Sequence, residues 1–116
     1  MSEKTSLENL PRLFFLPTQH FAFGVEVDEI DLASSVSPRP CFQASRFTVA
    51  PGCSSPSESH HVHEMWIVAQ GKGQLHYDHR EMQIHQDDFV YFEPHKSHQV
   101  INDGSTTMVI FSIWWE

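Results

Sequence analysis

The chain has 116 residues and 40% of them are hydrophobic, so we expect a single globular domain with one core. Seven Lys and Arg against fifteen Asp and Glu give a net charge of -8, which argues against nucleic acids and anionic membranes as partners. No apolar run approaches the roughly 20 residues of a membrane span. The opening residues lack the basic and apolar segments of a signal peptide, which predicts a cytoplasmic protein with Cys41 and Cys53 reduced.

The N-terminal part of the chain predicts strands separated by prolines. A helical turn is expected near residues 6–10, followed by a strand at the apolar residues 13–16. Residues 21–32 alternate between apolar and polar side chains, which predicts one strand. The Ser- and Pro-rich residues 33–40 predict a loop.

From residue 42 onward the pattern is a series of short strands separated by turn signals. Prolines, glycines and short turn sequences that begin with Asp separate the apolar runs. No long stretch has helical periodicity. The expected strands are residues 42–49, 64–69, 73–77, 81–85, 89–93, 98–102 and 108–114. Strands of this length and spacing predict an all-β sandwich or barrel.

Histidines are the main chemical signal, since nine of the 116 residues are His. Imidazoles and carboxylates are ligands that suit iron, zinc and similar divalent metals. Side chains two and four residues apart share one face of an extended strand, so Glu58, His60 and Glu64 form one candidate set. His61 and His63 would share the opposite face. Strand parity alone leaves both sets open.

These residues resemble the first motif of the cupin family, G(X)5HXH(X)3,4E(X)6G. The chain has Gly52, then five residues, then Glu58, one residue and His60. Three residues separate His60 from Glu64, and six separate Glu64 from Gly71. Every spacing fits, and the single substitution is Glu58 for the first histidine.

The second cupin motif, G(X)5PXG(X)2H(X)3N, is matched at its end by His98 and Asn102. The chain departs from this motif at three positions. Asp87 replaces the first glycine, Glu93 replaces the proline and His95 replaces the second glycine.

The resemblance implies a single cupin double-stranded β-helix, or jelly-roll barrel, formed by residues 41–116. Residues 1–40 are then a short N-terminal extension whose strands and loop pack on the barrel. Carried over by motif position, the metal ligands are Glu58, His60, Glu64 and His98. His61 and His63 fall out of register and are expected to be exposed or loop residues beside the site.

Glu58 leaves three interpretations of the site open. It is a fourth ligand, giving two His and two carboxylates around one divalent ion. Alternatively, His60, Glu64 and His98 form a two-His, one-carboxylate set, and Glu58 is a catalytic general base or a partner for a substrate ammonium. In the third interpretation the metal is lost. Fe(II) or Zn(II) is the expected ion, with Mn(II) a further candidate.

Substrate contacts are predicted for Trp66, which shares parity with Glu64, and for Tyr91. Arg46, on the strand before the first motif, is a further candidate because a buried Arg can bind a carboxylate. The resemblance to cupins implies a metal-dependent enzyme acting on a small polar organic molecule, either a non-haem Fe(II) dioxygenase or a Zn(II) enzyme without redox chemistry. The alternative is a non-catalytic module that binds a small ligand.

Family resemblance also implies a homodimer, because cupins commonly pair through sheet edges or exchanged N-terminal strands. An unpaired edge strand promotes aggregation, so pairing is physically reasonable. The apolar residues 13–16 and the Trp114-Trp115 pair are the candidate surface.

Overall fold

The computed structural model of the chain describes residues 11–116, so the helical turn predicted near residues 6–10 lies outside the described part. Residues 11–116 contain strands and no α-helix, which confirms the all-β prediction. Within this range no helix is long and apolar enough to cross a membrane. The strands are β1 (Gln19–Ala22), β2 (Val25–Glu29), β3 (Phe42–Val49), β4 (His63–Gln70), β5 (Lys72–Tyr77), β6 (Arg80–His85), β7 (Phe89–Phe92), β8 (His98–Ile101) and β9 (Met108–Trp115).

The strands form two antiparallel sheets that face each other across the core. The larger sheet has the order β1-β2-β3-β9-β4-β7, and the smaller has the order β6-β5-β8. All seven strands predicted from residue 42 onward are present, with ends displaced by no more than one residue. Two facing sheets with non-sequential neighbours are the layout of a jelly-roll barrel.

The prediction of one strand over residues 21–32 is wrong, because the chain turns at Gly24. This glycine has a φ of 73°, a backbone conformation that residues with a side chain rarely adopt. A Cβ atom at this position would clash with the Sγ atom of Cys53. The turn therefore divides the segment into the β1–β2 hairpin, and β2 pairs with β3 at the edge of the barrel.

Residues 13–16 do not form the predicted strand. Phe15 makes one isolated bridge with Ile30, and the side chains of residues 13–16 are exposed. Phe15 also covers the guanidinium of Arg46, whose Cζ atom lies 4.2 Å from the centre of the phenyl ring. This segment therefore lies against the outer face of the larger sheet.

The core lies between the two sheets and follows strand alternation. The buried residues of β3, β4 and β9 are spaced two apart, as expected for strands with one face on a core. The smaller sheet contributes residues from β5, β6 and β8. The buried cluster is Val25, Phe47, Val49, Trp66, Val68, Leu75, Ile84, Phe92, Val100, Met108 and Ile110.

Asn102, the last residue of the second motif, has a structural role. Its side chain is fully buried and donates hydrogen bonds to the carbonyl oxygens of Val49 and Thr106, at 2.8 and 2.9 Å. Its Oδ1 atom accepts a hydrogen bond from the backbone N–H of Gly104. Asn102 therefore ties the end of β3 to the loop between β8 and β9.

Two of the departures from the second motif occupy left-handed backbone positions. Asp87 has a φ of 78° and His95 has a φ of 68°. The motif has glycine at both positions, and glycine adopts this conformation without steric cost. The substitutions therefore retain the turn geometry and add local strain.

We expect Asp87→Gly to raise the free energy of unfolding by about 1 kcal/mol, because it relieves a left-handed residue with a Cβ atom. Gln86→Gly is the control, since the neighbouring exposed residue does not have a positive φ and glycine there adds only flexibility. Urea denaturation of both variants measures the difference. A loss of stability in Asp87→Gly would contradict this account of the turn.

Candidate metal centre

Glu58 and His98 are brought together by a short antiparallel bridge outside the main strands. The backbone N–H of Glu58 donates to the carbonyl oxygen of His98 at 3.1 Å, and the reciprocal bond is 2.8 Å. Paired residues in an antiparallel bridge project their side chains to the same face. His60 follows two residues after Glu58, and its carbonyl oxygen accepts a hydrogen bond from the N–H of His95.

One compact group of ligand atoms results from this arrangement. A ligand atom from each of Glu58, His60 and His98 lies within 4.8 Å of the other two. The Nε2 atom of His60 lies 3.5 Å from Oε1 of Glu58 and 4.0 Å from Oε1 of Glu64. The Nε2 atom of His98 lies 3.3 Å from the same Glu64 oxygen. The structure therefore brings together the four residues that the first and second motifs single out.

Glu64 is held by hydrogen-bond donors on the inner face of the larger sheet. Its Oε2 atom accepts hydrogen bonds from Trp66 Nε1 at 2.8 Å and from Ser112 Oγ at 2.7 Å. Burial by itself raises the pKa of the Glu64 carboxyl. Hydrogen bonds from the side chains of His98, Ser112 and Trp66 act in the opposite direction, and together they keep this pKa below its usual range. Glu64 therefore remains ionised, with its Oε1 atom directed at both imidazoles.

His98 is the most deeply buried member of the group, at 5% exposure. Its ring stacks on Phe92 with centroids 4.5 Å apart, and Trp66 meets it edge-on at 5.5 Å. The buried Nδ1 atom has no hydrogen-bond partner among residues 11–116. The aromatic packing fixes the ring so that Nε2 is the nitrogen that faces the carboxylates.

The spacing of these atoms fits one bound metal ion. Ligands that surround an ion at 2.0–2.2 Å are themselves separated by about 3–3.5 Å, close to the distances within this group. Two imidazoles with carboxylates suit iron, zinc or manganese, because imidazole suits iron and zinc and carboxylates suit manganese. The Glu58, His60 and His98 group, with Glu64 beside it, can therefore hold a metal.

A cavity of about 440 Å³ opens beside this group. Trp66 lines it, as the parity argument predicts, together with Phe21, Phe47 and Trp114. The volume is that of a site for a small organic molecule. The polar lining consists of Gln19, Glu29, Ser45, Ser55, Glu58, His60, His61, Glu64, His98 and Ser112.

Two residues predicted to contact substrate lie outside this cavity. Arg46 points to the outer face of β3, where its guanidinium donates a hydrogen bond to Asp28 at 2.9 Å. Tyr91 lies on the outer face of β7, and its hydroxyl is 2.6 Å from Nδ1 of His63. In both cases the neighbouring residue, Ser45 or Phe92, is the buried one. The prediction that Arg46 and Tyr91 line the pocket is therefore corrected.

Glu29 and Ser112 line the cavity although neither is among the residues predicted from the sequence. Glu29 shares strand parity with Val25 and Val27, and this alternation indicates its inward position. Ser112 gave no signal, since a serine in an apolar strand does not reveal which carboxylate it will contact.

Comparison with known proteins identifies the family of this chain. The cupin domain family matches residues 45–114, which is more than half of the chain. The chain belongs to the cupin family. This membership confirms the fold expected from the two motifs.

Several solved structures are similar to the chain over most of its length. A cupin 2 conserved barrel domain protein from Salinispora arenicola has 29% sequence identity and a TM-score of 0.74, with 84% of this chain and 80% of that chain covered. A predicted oxalate decarboxylase from Thermotoga maritima has 19% identity and a TM-score of 0.71, covering 90% and 93%. KdgF from Halomonas sp. has 15% identity and a TM-score of 0.71, covering 89% and 93%. The last two similarities concern the fold alone.

The ion pair between Arg46 and Asp28 predicts that the stability of the protein depends on pH. Hydrogen bonds from Thr18 and Arg46 lower the pKa of Asp28 below its ordinary value. A lowered pKa in the folded state stabilises the protein above the unfolded pKa of about 3.9, and this contribution is lost as the pH falls through the folded value.

We expect Asp28→Asn to reduce the free energy of unfolding by roughly 1 kcal/mol at neutral pH. The difference from the wild type should begin to shrink as the pH falls below about 3.9, where the unfolded wild-type chain takes up a proton that the folded state does not yet bind. Urea denaturation at pH 7 and pH 3 measures both values. Asp103→Asn, at an exposed residue, is the control, and equal losses in the two variants would contradict the role of the pair.

Proposed function

We propose that this cupin is a metal-dependent enzyme that acts on a small polar organic molecule. The observation that carries the proposal is the convergence of Glu58, His60, Glu64 and His98 at the wall of one cavity. A cavity of this size beside a group of metal-binding side chains is the usual form of a small-molecule catalytic site.

His60 and His98 would hold the ion through Nε2, and Glu64 through the Oε1 atom that faces them. Fe(II) and Zn(II) are the ions we favour, with Mn(II) also suited to this ligand set. A bound ion would act as a Lewis acid or, if it is iron, would support chemistry with oxygen. The protein contributes a fixed carboxylate, two oriented imidazoles and an aromatic wall around the ligand.

Glu58 differs from Glu64 in how it is held. The side chain of Glu64 is 12% exposed and its second oxygen accepts two hydrogen bonds, whereas the side chain of Glu58 is 35% exposed. We propose that Glu58 is a fourth ligand because its oxygen lies within the compact group. If it is not a ligand, its position beside His60 suits a general base.

An enzymatic role agrees with one of the structurally similar proteins, which is described as a predicted oxalate decarboxylase. Its low sequence identity to this chain does not identify the reaction, and one barrel supports many chemistries. The competing hypothesis is a binding module without catalysis. It would use the same cavity and would not depend on a metal.

Metal content measured by mass spectrometry, on protein purified without a His tag, tests this function. We expect about one equivalent of Fe, Zn or Mn per chain, because the donor atoms are spaced for a single ion. His98→Ala should lose the metal, and Glu58→Gln should weaken its binding by roughly 10-fold or more.

His20→Ala is the matched control, since the side chain of His20 is 82% exposed and outside the cavity. This variant should retain the wild-type metal content. Full retention by Glu58→Gln would favour the general-base role for Glu58. Absence of metal from the wild type, even after reconstitution with each ion, would overturn the proposed enzyme and favour the binding module.

We also propose that two copies of the chain pair through the outer face of the larger sheet. On β4, β7 and β9 the outward positions carry no Asp, Glu, Lys or Arg, although the chain has a net charge of -8. This outer apolar face comprises Met65, Ile67, Phe89, Tyr91, Phe111, Ile113 and Trp115.

The side chains of this face support a second copy as the occupant. Phe89 is 66% exposed, Tyr91 is 48% exposed and Phe111 is 37% exposed. Contiguous apolar patches on monomers rarely exceed a few hundred Å², and larger ones mark interfaces. Because each copy is strongly acidic elsewhere, an uncharged face is where two copies approach with the least repulsion.

Light scattering at micromolar concentration tests the pairing. We expect twice the chain mass of 13.4 kDa for the wild type, and the single chain mass for Phe89→Asp. The control is Phe23→Asp, which replaces a 91% exposed phenylalanine outside this face and should remain a dimer. A monomeric wild type would refute the proposal.

A further inference from the structure

Apart from its histidines, the ionisable side chains of the cavity lining are acidic, which is unfavourable for binding an organic acid. Its lining includes three carboxylates, from Glu29, Glu58 and Glu64, and no Lys or Arg of residues 11–116. Arg46 is the nearest basic residue in β3, and Asp28 and Phe15 hold it on the outer face. Apart from the imidazoles of His60, His61 and His98, positive charge in this site has to come from a metal ion or from the ligand itself.

Glu29 is the carboxylate that the metal group does not use. It is partly buried, and its side chain has no hydrogen-bond or ion-pair partner among residues 11–116. By contrast, Asp28 beside it points outward and is paired with Arg46 at 2.9 Å. A carboxylate in a partly apolar site is stabilised by an opposite charge, and no Lys or Arg of residues 11–116 lines the cavity to supply it.

Sheet register places Glu29 relative to Ser112, the residue that contacts Glu64 of the metal group. Glu29 pairs with Ser45 of β3, and Ser45 pairs with Ser112 of β9. Ser112 in turn donates its hydroxyl hydrogen bond to Glu64. Glu29 is therefore two strand spacings, or roughly 10 Å, from Ser112 on the same row of the inner face.

Aromatic side chains form much of the cavity wall that accompanies these groups. Phe47 and Trp66 are in edge contact with centroids 5.0 Å apart, and Phe21 and Trp114 also line the cavity. Aromatic faces attract organic cations, and a nearby carboxylate adds to the attraction. Together with an unpaired Glu29, this wall favours an ammonium group over a second carboxylate.

We propose that the cavity binds a small molecule whose ammonium group pairs with Glu29, while an oxygen group at its other end faces the metal centre. Glu29 is then a specificity-determining residue for ligand charge. The placement of the oxygen group rests on the proposed metal function, whereas the pairing of ammonium with Glu29 does not.

Three probes of matched length test this assignment: 4-aminobutyrate, pentanoate and glutarate. All three carry one carboxylate for the metal end and differ only in the far group, which is cationic, neutral or anionic. Their dissociation constants can be measured on zinc-loaded protein by two-dimensional NMR, from the indole resonances of Trp66 and Trp114, which line the cavity. The zinc content of each sample is measured in parallel.

We expect 4-aminobutyrate to bind about fivefold or more tightly than pentanoate, and glutarate to bind most weakly, as a charge interaction at a partly desolvated site predicts. Glu29→Gln should remove this preference. Glu26→Gln removes the same charge from an exposed, outward position of β2 and should retain the preference.

The proposal is overturned if glutarate binds as tightly as 4-aminobutyrate, if none of the probes binds, or if Glu29→Gln leaves the preference unchanged. Equal losses in the Glu29 and Glu26 variants would also overturn it, since they would indicate a general effect of net charge. Failure of the protein to retain zinc would refute the metal function instead. The preference for ammonium would then be decided with the same probes on metal-free protein.

Discussion

A carboxylate on the inner wall of a barrel has to be held by hydrogen-bond donors, and the site of this cupin is organised around that requirement at Glu64. Ser112 and Trp66 satisfy one of its oxygens, which leaves the other directed at His60 and His98. Because two donors and an imidazole outweigh the effect of burial, the carboxyl keeps a low pKa and a fixed orientation. The position of a metal ion would follow from this arrangement.

Because side chains alternate along each strand, the two faces of the larger sheet carry different chemical groups. Its inner face carries the metal group, the aromatic cavity wall and Glu29. Its outer face carries the Arg46–Asp28 pair and the uncharged surface of β4, β7 and β9. Alternation along the strands therefore places Arg46 outside the site and directs Glu29 into it, which affects the charge that a ligand meets.

The spacing of residues in the two motifs predicted most of the candidate metal site. The intervals in the first motif predicted that Glu58, His60 and Glu64 lie close together, and they do so because a loop closed by the Glu58–His98 bridge and a regular strand leave little freedom in position. The glycine positions of the second motif did not reveal the backbone conformation of this chain from the sequence. Asp87 and His95 appear as plain departures, whereas the structure shows that both keep the left-handed backbone for which the motif uses glycine.

The sequence by itself determined the all-β class, the strands from residue 42 onward and the set Glu58, His60, Glu64 and His98. Only the tertiary structure decided that Arg46 and Tyr91 point away from the cavity and that Glu29 points into it. The physical reason is that alternation fixes which residues of a strand share a face, but not which of the two faces meets the core. That choice depends on the pairing register with neighbouring strands, which are distant in sequence.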